Sequence, residues 1–245
     1  FALGTPPIAS AGASIGNAMV ALNTWETLKP YVGTANVIDL GSAREINLEA
    51  VLGAEPDVIV TFTTHSGLEK IYDQLVAIAP VVLVDYSSSW QEQLRDCAEI
   101  VGKETYAQEL IEEIEEVISS VKEELSEHSD RTLAIFRTGG GTAFITRGDA
   151  SYYETFGISS PADWPATLGT TITLAGLAGM DPDYIVFQDT IVTSQAFVQT
   201  QEEYATWNAL KAVKNGNVFY FDDSLNSFGP LALRLTAEKL LEMYS

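Results

Sequence analysis

At 245 residues the chain is long enough for two lobes that each bury a core of their own. It carries 34 acidic residues against 13 basic ones, and a net charge of −21 repels nucleic acid and anionic lipid over most of the surface. Apolar residues make up 46%, as in an ordinary globular protein, and no apolar run approaches the ~18 residues of a membrane span.

The chain starts at Phe1 with Ala2-Leu3-Gly4-Thr5-Pro6-Pro7, so its natural beginning, and any signal peptide, is expected upstream. Apolar strand runs at 37–40, 58–62 and 81–85 alternate with helical patterns, an order that predicts parallel strands with right-handed crossovers. In the helical stretch 90–101, Cys97 falls three residues after Leu94 and three before Ile100, and so reads as an inert core thiol. It is the one cysteine, which rules out a disulfide within the chain and suits either the cytoplasm or the outer face of a bacterial membrane.

From 104 to 128 there is no Gly or Pro, and Tyr106, Leu110, Ile114, Val117, Val121 and Leu125 recur at three- and four-residue steps. This predicts one helix of about 25 residues, roughly 37 Å long. Three heptads are too few for a coiled-coil arm, so the helix reads as a strut between lobes. The predicted organisation is an N-terminal lobe over 1–103, an interdomain helix over 104–129 and a C-terminal lobe over 130–245.

The second half opens with a strand over 132–136 that leads into Arg137-Thr138-Gly139-Gly140-Gly141-Thr142, followed by a strand over 143–146 and then Arg147. No Gly-Lys-Ser/Thr follows the glycines, so they predict a hairpin turn rather than a phosphate loop. A strand at 184–187, a helix near 202–213, a turn at Lys214-Asn215-Gly216-Asn217, a strand at 218–221 and a closing helix over 230–244 complete the chain. Pro230 suits the first turn of that last helix.

One phrase is written twice. Residues 46–60, with Glu55-Pro56-Asp57 before an apolar run, return as residues 172–186, with Asp181-Pro182-Asp183 before another. Each copy reads as a short helix, a Pro-Asp break and a strand. Downstream, Val84-Asp85-Tyr86-Ser87 is echoed by Phe221-Asp222-Asp223-Ser224. A pocket between two such halves is the default place for function.

Ligands of open parallel sheets bind beyond the carboxyl ends of the strands. The loops there hold hydroxyls, aromatics and the arginines Arg44, Arg137 and Arg147, a local positive spot suited to an anionic or carbonyl-rich ligand. The only imidazoles are His65 and His128, and no Gly-x-Ser-x-Gly occurs, which speaks against a hydrolase triad. Nor is there a set of His, Asp and Glu suited to a zinc or manganese site. His128, at the end of the long helix, reads as solvated. His65 reads either as a hydrogen-bonding pocket residue or as a structural loop histidine, and an α/β enzyme with His65 as general base is the competing function.

Asn47-Leu48-Glu49 followed by Glu55-Pro56-Asp57-Val58-Ile59-Val60, the single long helix, Trp207-x-x-Leu210-x-Ala212-Val213-Lys214-x-Gly216-x-Val218, and Gly229-Pro230 before the last helix together resemble the substrate-binding proteins of iron-siderophore, heme and cobalamin importers. The resemblance spans nearly the whole chain. Val37-Ile38-Asp39-Leu40-Gly41 before Asn47 is most similar to the ferric hydroxamate binders, and Arg44 is the nearest match to their siderophore arginine.

This resemblance implies the class III periplasmic-binding-protein fold: two Rossmann-like α/β lobes with parallel sheets joined by one long α-helix, with the usual N-terminal strand and helix missing. It further implies a monomeric extracytoplasmic protein, periplasmic or anchored as a lipoprotein to the outer face of the membrane. Such a protein has no catalytic activity and no cofactor, ferric iron entering only as part of the siderophore. The ligand would be held in the cleft between lobes, with small hinge motion, and delivered to the permease dimer of an ABC importer; heme or cobalamin are the alternative ligands. Tyr86, Trp90, Trp164 and Phe228 are then expected as walls, Thr63, Ser87 and Ser224 as hydroxyl donors, His65, Gln188 and Asn226 as further polar contacts, and Arg44, Arg137 and Arg147 as the charged ones. Glu49 is the expected transporter contact of the first lobe. The matching position of the second lobe is Ala175, where the family usually has an acid, with Glu154 as a neighbouring substitute.

Overall fold

The computed structural model describes residues 1–12 and 18–245. It divides into two compact units, Phe1–Glu112 and Glu113–Ser245.

In the first unit, β1 (Ala9–Gly12) is followed by α1 (Ala18–Thr24), β2 (Ile38–Ser42), β3 (Glu45–Ile46), α2 (Leu48–Gly53), β4 (Ile59–Phe62), α3 (Leu68–Ile78), β5 (Val81–Val84) and α4 (Trp90–Val101). Strand β1 pairs in parallel with β2, β3 returns antiparallel to β2, and β4 and β5 form a separate parallel pair. Apolar side chains on the helices and strands meet in a small core, where Val51, Leu68 and Leu75 are buried among Leu40, Ile59, Ile71 and Val81. Helix α4 starts at a reciprocal cap between Ser89 and Glu92 and ends at Gly102, whose φ of 64° favours glycine. Leu94 and Ala98 of α4 are buried, whereas Cys97 is half-buried, and that burial raises its thiol pKa. The thiol is thus half-buried and not in the core where its spacing predicts it.

Helix α5 (Glu104–Ser126) runs 23 residues, close to its predicted span, and the division between units falls within it. Of the stripe read from the sequence, Leu110, Ile114, Val121 and Leu125 are buried, together with Ala107 and Ile111, whereas Val117 is half-buried and Tyr106 is exposed at the first turn. Just beyond it, His128 is half-buried rather than solvated, its ring 5.8 Å from that of Tyr244.

The second unit contains β6 (Leu133–Arg137), β7 (Phe144–Arg147), α6 (Ala150–Phe156), β8 (Thr171–Ile172), α7 (Leu174–Met180), β9 (Tyr184–Gln188), α8 (Ile191–Gln201), α9 (Ala205–Ala209), α10 (Lys211–Lys214), β10 (Val218–Phe221) and α11 (Pro230–Tyr244). One sheet runs in the order β10-β9-β6-β7-β8. It is mixed rather than wholly parallel, because the short glycine turn after β6 can only bring β7 back antiparallel. Every residue of β9 is buried, which is why its sequence is apolar from Tyr184 to Phe187 before the buried Gln188. Phe136, Phe144 and Phe187 pack with Phe197, Trp207 and Leu210 into the main core. Each such side chain contributes about 1.5–3 kcal/mol on burial.

The predicted helix near 202–213 is two short helices, because Leu210 is extended (φ −58°, ψ 141°) between α9 and α10. Helix α8 escaped the sequence reading for a physical reason: Ser194 and Gln201 are buried while Val192 faces solvent, so no apolar stripe marks it.

The repeat holds at backbone level. Asn47 and Thr173 cap α2 and α7 in the same way, each side chain accepting an N–H three residues on. Glu55 (φ 48°) and Asp181 (φ 40°) then both turn left-handed before a proline, which disfavours the helical region for its predecessor. The strands pair in one register, Ile59 with Val81 and Ile185 with Val218. Both second strands end at an aspartate that accepts the N–H and O–H of a serine two residues later, Asp85 from Ser87 and Asp222 from Ser224.

Candidate functional site

The second unit gathers five of the residues singled out from the sequence. Arg137 pairs with Ile145 and Ile135 with Arg147 across β6 and β7, so the two arginines lie diagonally on one face of the sheet. After β10 the chain makes a 3₁₀ turn at Asp223–Asn226. There Asp223 forms an ion pair with Arg137 Nη2. Arg147 donates to Asn226 Oδ1 from both Nε (3.1 Å) and Nη2 (3.0 Å), and Asn226 Nδ2 donates to Asp223 Oδ1 at 2.7 Å. The result is a continuous chain, Arg137–Asp223–Asn226–Arg147.

Burial lowers the pKa of Arg147, and the neighbouring Arg137 lowers it further, while Asp223, Asp189 and Asp149 act in the opposite sense. Among the described residues, Nε of Arg137 is buried without a partner.

Two residues position this cluster without being exposed themselves. Gln188 is 3% exposed and donates from Nε2 to the Leu225 carbonyl at 2.6 Å, which fixes the turn to β9. Ser224 is buried, and its hydroxyl donates to Asp222. Asp189 accepts from the N–H (3.1 Å) and hydroxyl (2.9 Å) of Thr138 and so anchors the glycine turn. Gly139, Gly140 and Gly141 all have positive φ, and the Thr138 carbonyl accepts the N–H groups of Gly141, Thr142 and Ala143. This is the hairpin turn predicted from the sequence.

Trp164 stands against Phe136, 5.3 Å between ring centroids, and its Nε1 donates to the Gly148 carbonyl at 3.4 Å. Phe228 is partly exposed, with Tyr152 edge-on at 5.8 Å.

In the first unit, the carboxyl ends of β4 and β5 carry an exposed aromatic pair, Phe62 (43% exposed) and Tyr86 (63%), edge to face at 5.3 Å. Phe62 was missed in the sequence reading. Its signal was the strand alternation, which puts it on the same face as the exposed Val60. Thr63 is exposed and continues the ladder through its N–H to the Val84 carbonyl at 3.0 Å. Ser87 is held by Asp85, whose pKa is lowered by the bonds from the Ser87 N–H and hydroxyl. Trp90 is half-buried at the start of α4.

His65 ties two loops together. Its Nε2 bonds the Ala43 carbonyl, which can only accept, so Nε2 is the donor there, and Nδ1 is hydrogen-bonded with the Thr61 hydroxyl at 3.1 Å. Both ring nitrogens are therefore engaged within the unit. Beside it lies a depression of about 380 Å³ lined by Thr63, His65, Leu68, Glu69, Tyr72 and Asp73.

Arg44 is exposed on the β2–β3 turn, and its backbone N–H donates to Ser42 Oγ at 3.2 Å. Glu49 is exposed in the first turn of α2, where the helix dipole favours a carboxylate, and Ala175 is exposed at the same place in α7. Glu154 is exposed on α6. Among the described residues, no group of three or more His, Cys, Asp or Glu is placed to hold a metal ion, and no helix is long and apolar enough to cross a membrane.

The sequence profile of the periplasmic binding proteins matches residues 17–225. The chain belongs to that family. This periplasmic binding protein is 26% identical, over 223 residues, to the iron-uptake system-binding protein of Bacillus subtilis strain 168, covering 82% of its own length and 68% of the relative's. To the iron(3+)-hydroxamate-binding protein of the same organism it is 27% identical over 225 residues, with the same two coverages. Its fold matches a solved periplasmic binding protein component of a Fep/Fec-like ferrichrome ABC transporter from Bacillus subtilis, with a TM-score of 0.75 at 22% identity, over 100% of this chain and 91% of that one. The fold is thus the two-lobed α/β architecture of class III periplasmic binding proteins. The family is one of non-catalytic, extracytoplasmic solute binders.

Proposed function

We propose that this periplasmic binding protein captures a ferric siderophore of the hydroxamate type and hands it to an ABC importer. The observation that carries the reading is the Arg137–Asp223–Asn226–Arg147 cluster, which holds two guanidinium groups in fixed orientation on one face of the β6–β7 pair. A siderophore supplies the oxygen ligands of its own iron, so the protein needs donors for the carbonyl and oximate oxygens rather than a metal site. Oriented guanidinium N–H groups are such donors. Within the same unit, the exposed ring of Phe228 offers aromatic surface for the organic frame of the chelate. The names of the relatives support a ferric siderophore as the ligand: one is an iron(3+)-hydroxamate-binding protein, and the iron-uptake system-binding protein is a triscatecholate siderophore binder.

Titration with a ferric tris-hydroxamate tests this reading. Trp164 bonds the carbonyl of the residue after Arg147 and should report binding by quenching at sub-micromolar chelate. No response to any ferric siderophore, together with tight binding of heme or cobalamin, would replace the siderophore with one of those ligands.

A further inference from the structure

The arginine cluster carries its own counter-charge. Arg137 is paired with Asp223, a side chain only 14% exposed, and Asp223 is held in place by Asn226 Nδ2. Two further carboxylates, Asp189 and Asp149, act on Arg147, but both are committed to backbone N–H groups: Asp189 to Thr138, and Asp149 to Tyr152 at the start of α6. Asp223 is different because it touches a guanidinium directly. The two guanidiniums are thus matched or exceeded by nearby acid, inside a chain of net charge −21. Such a site offers directed hydrogen-bond donors with little positive field.

Resting on the siderophore reading above, we propose that Asp223 is a specificity-determining residue: by cancelling Arg137 it makes the site accept an uncharged ferric chelate and reject a strongly anionic one. Charge counting defines the two classes. On binding ferric iron each hydroxamic acid loses one proton to water and each catechol two, so a tris-hydroxamate of iron is neutral at its core and a tris-catecholate carries three negative charges. Asp223 acts through Arg137 and is a positioning residue, since it need not touch the chelate.

The test measures dissociation constants for a neutral ferric tris-hydroxamate and a ferric tris-catecholate, at low ionic strength where screening is weak. Relative to wild type, Asp223→Asn keeps the shape and an acceptor oxygen but removes the charge. It should shift preference toward the tris-catecholate by about tenfold, the effect of one unit charge about 8 Å from three others in an aqueous dielectric. Asn226→Asp adds a charge at the same turn and should shift preference by a comparable factor the other way. Glu203→Gln, in the exposed turn between α8 and α9, changes net charge equally and should leave the ratio alone. Near-UV circular dichroism checks folding of each variant, and if Asp223→Asn does not fold the Asn226→Asp ratio decides. A ratio that moves no more than in Glu203→Gln, or a wild-type preference for the tris-catecholate, overturns the proposal while leaving siderophore binding intact. Binding of neither chelate by the wild type sinks the siderophore reading itself, and the role of Asp223 with it.

Discussion

Single residues at the second unit's strand ends show how much of a binding surface is support. Gln188 looked like a ligand contact from its place after an apolar strand, yet the structure spends its amide on the Leu225 carbonyl. Replacing it with leucine leaves that carbonyl without its partner. Gln188→Leu should therefore lose about 1–3 kcal/mol in urea unfolding, and should also weaken ferric chelate binding because the Asp223–Asn226 turn loosens. Asp183 is a second case. Burial raises its pKa, but the N–H and hydroxyl of Thr132 and the nearby Lys211 outweigh burial, and the net shift is downward. A carboxylate whose folded pKa is depressed contributes its stability above the unfolded value, ~3.9, and loses it as pH falls through the folded one. Asp183→Asn should accordingly be less stable than wild type at pH 7, and the gap should narrow as unfolding is measured at progressively more acid pH. An equal gap at every pH would show that the charge of Asp183 is not what clamps β9 to the start of β6.

Helices and strands were legible where their physics is local. The two caps, the Pro-Asp breaks and the apolar runs of β4 and β9 all carry signals within a few residues, and so did the long stripe of α5. Strand β1, with the sequence Ala-Ser-Ala-Gly, has no β-branched or aromatic residue and is defined only by pairing to the distant β2. Helix α8 is likewise fixed by what packs around it and not by its own periodicity. The repeat makes an informative pair of substitutions possible. Glu55 and Asp181 share a left-handed conformation that costs an ordinary residue roughly 1–2 kcal/mol, a cost glycine largely escapes. Glu55→Gly should raise stability by roughly 0.5–1 kcal/mol, after allowing for the flexibility glycine adds to the unfolded chain. Asp181→Gly should not, because Asp181 Oδ1 also accepts the Lys211 N–H at 2.8 Å. Denaturant midpoints with unchanged slopes would separate the two, and a gain in both would mean that the bond to Lys211 contributes nothing.

At the scale of the whole molecule, the duplicated plan was visible in the sequence, whereas the assignment of roles was not. Arg137, Arg147 and Asn226 were singled out by position, but their linkage through Asp223 depends on a contact across 86 residues of chain that no local pattern announces. The same plan also yields an asymmetry. Counting along the repeat, Glu49 in the first turn of α2 corresponds to Ala175 in the first turn of α7, and both are exposed. If the importer reads a carboxylate at each position, this chain presents only one of the two. Glu49→Lys should then leave chelate affinity unchanged, since Glu49 is not among the residues proposed to bind, and yet abolish uptake of labelled chelate by cells carrying the chain and its importer. Ala175→Glu is the converse variant. A carboxylate in the first helical turn is favoured by the dipole by about 0.3–1 kcal/mol, so the variant should melt no lower than wild type. It should also raise uptake in the same cells. Unchanged uptake in Glu49→Lys would show that docking uses another surface, and lowered uptake in Ala175→Glu would show that the importer is matched to the alanine.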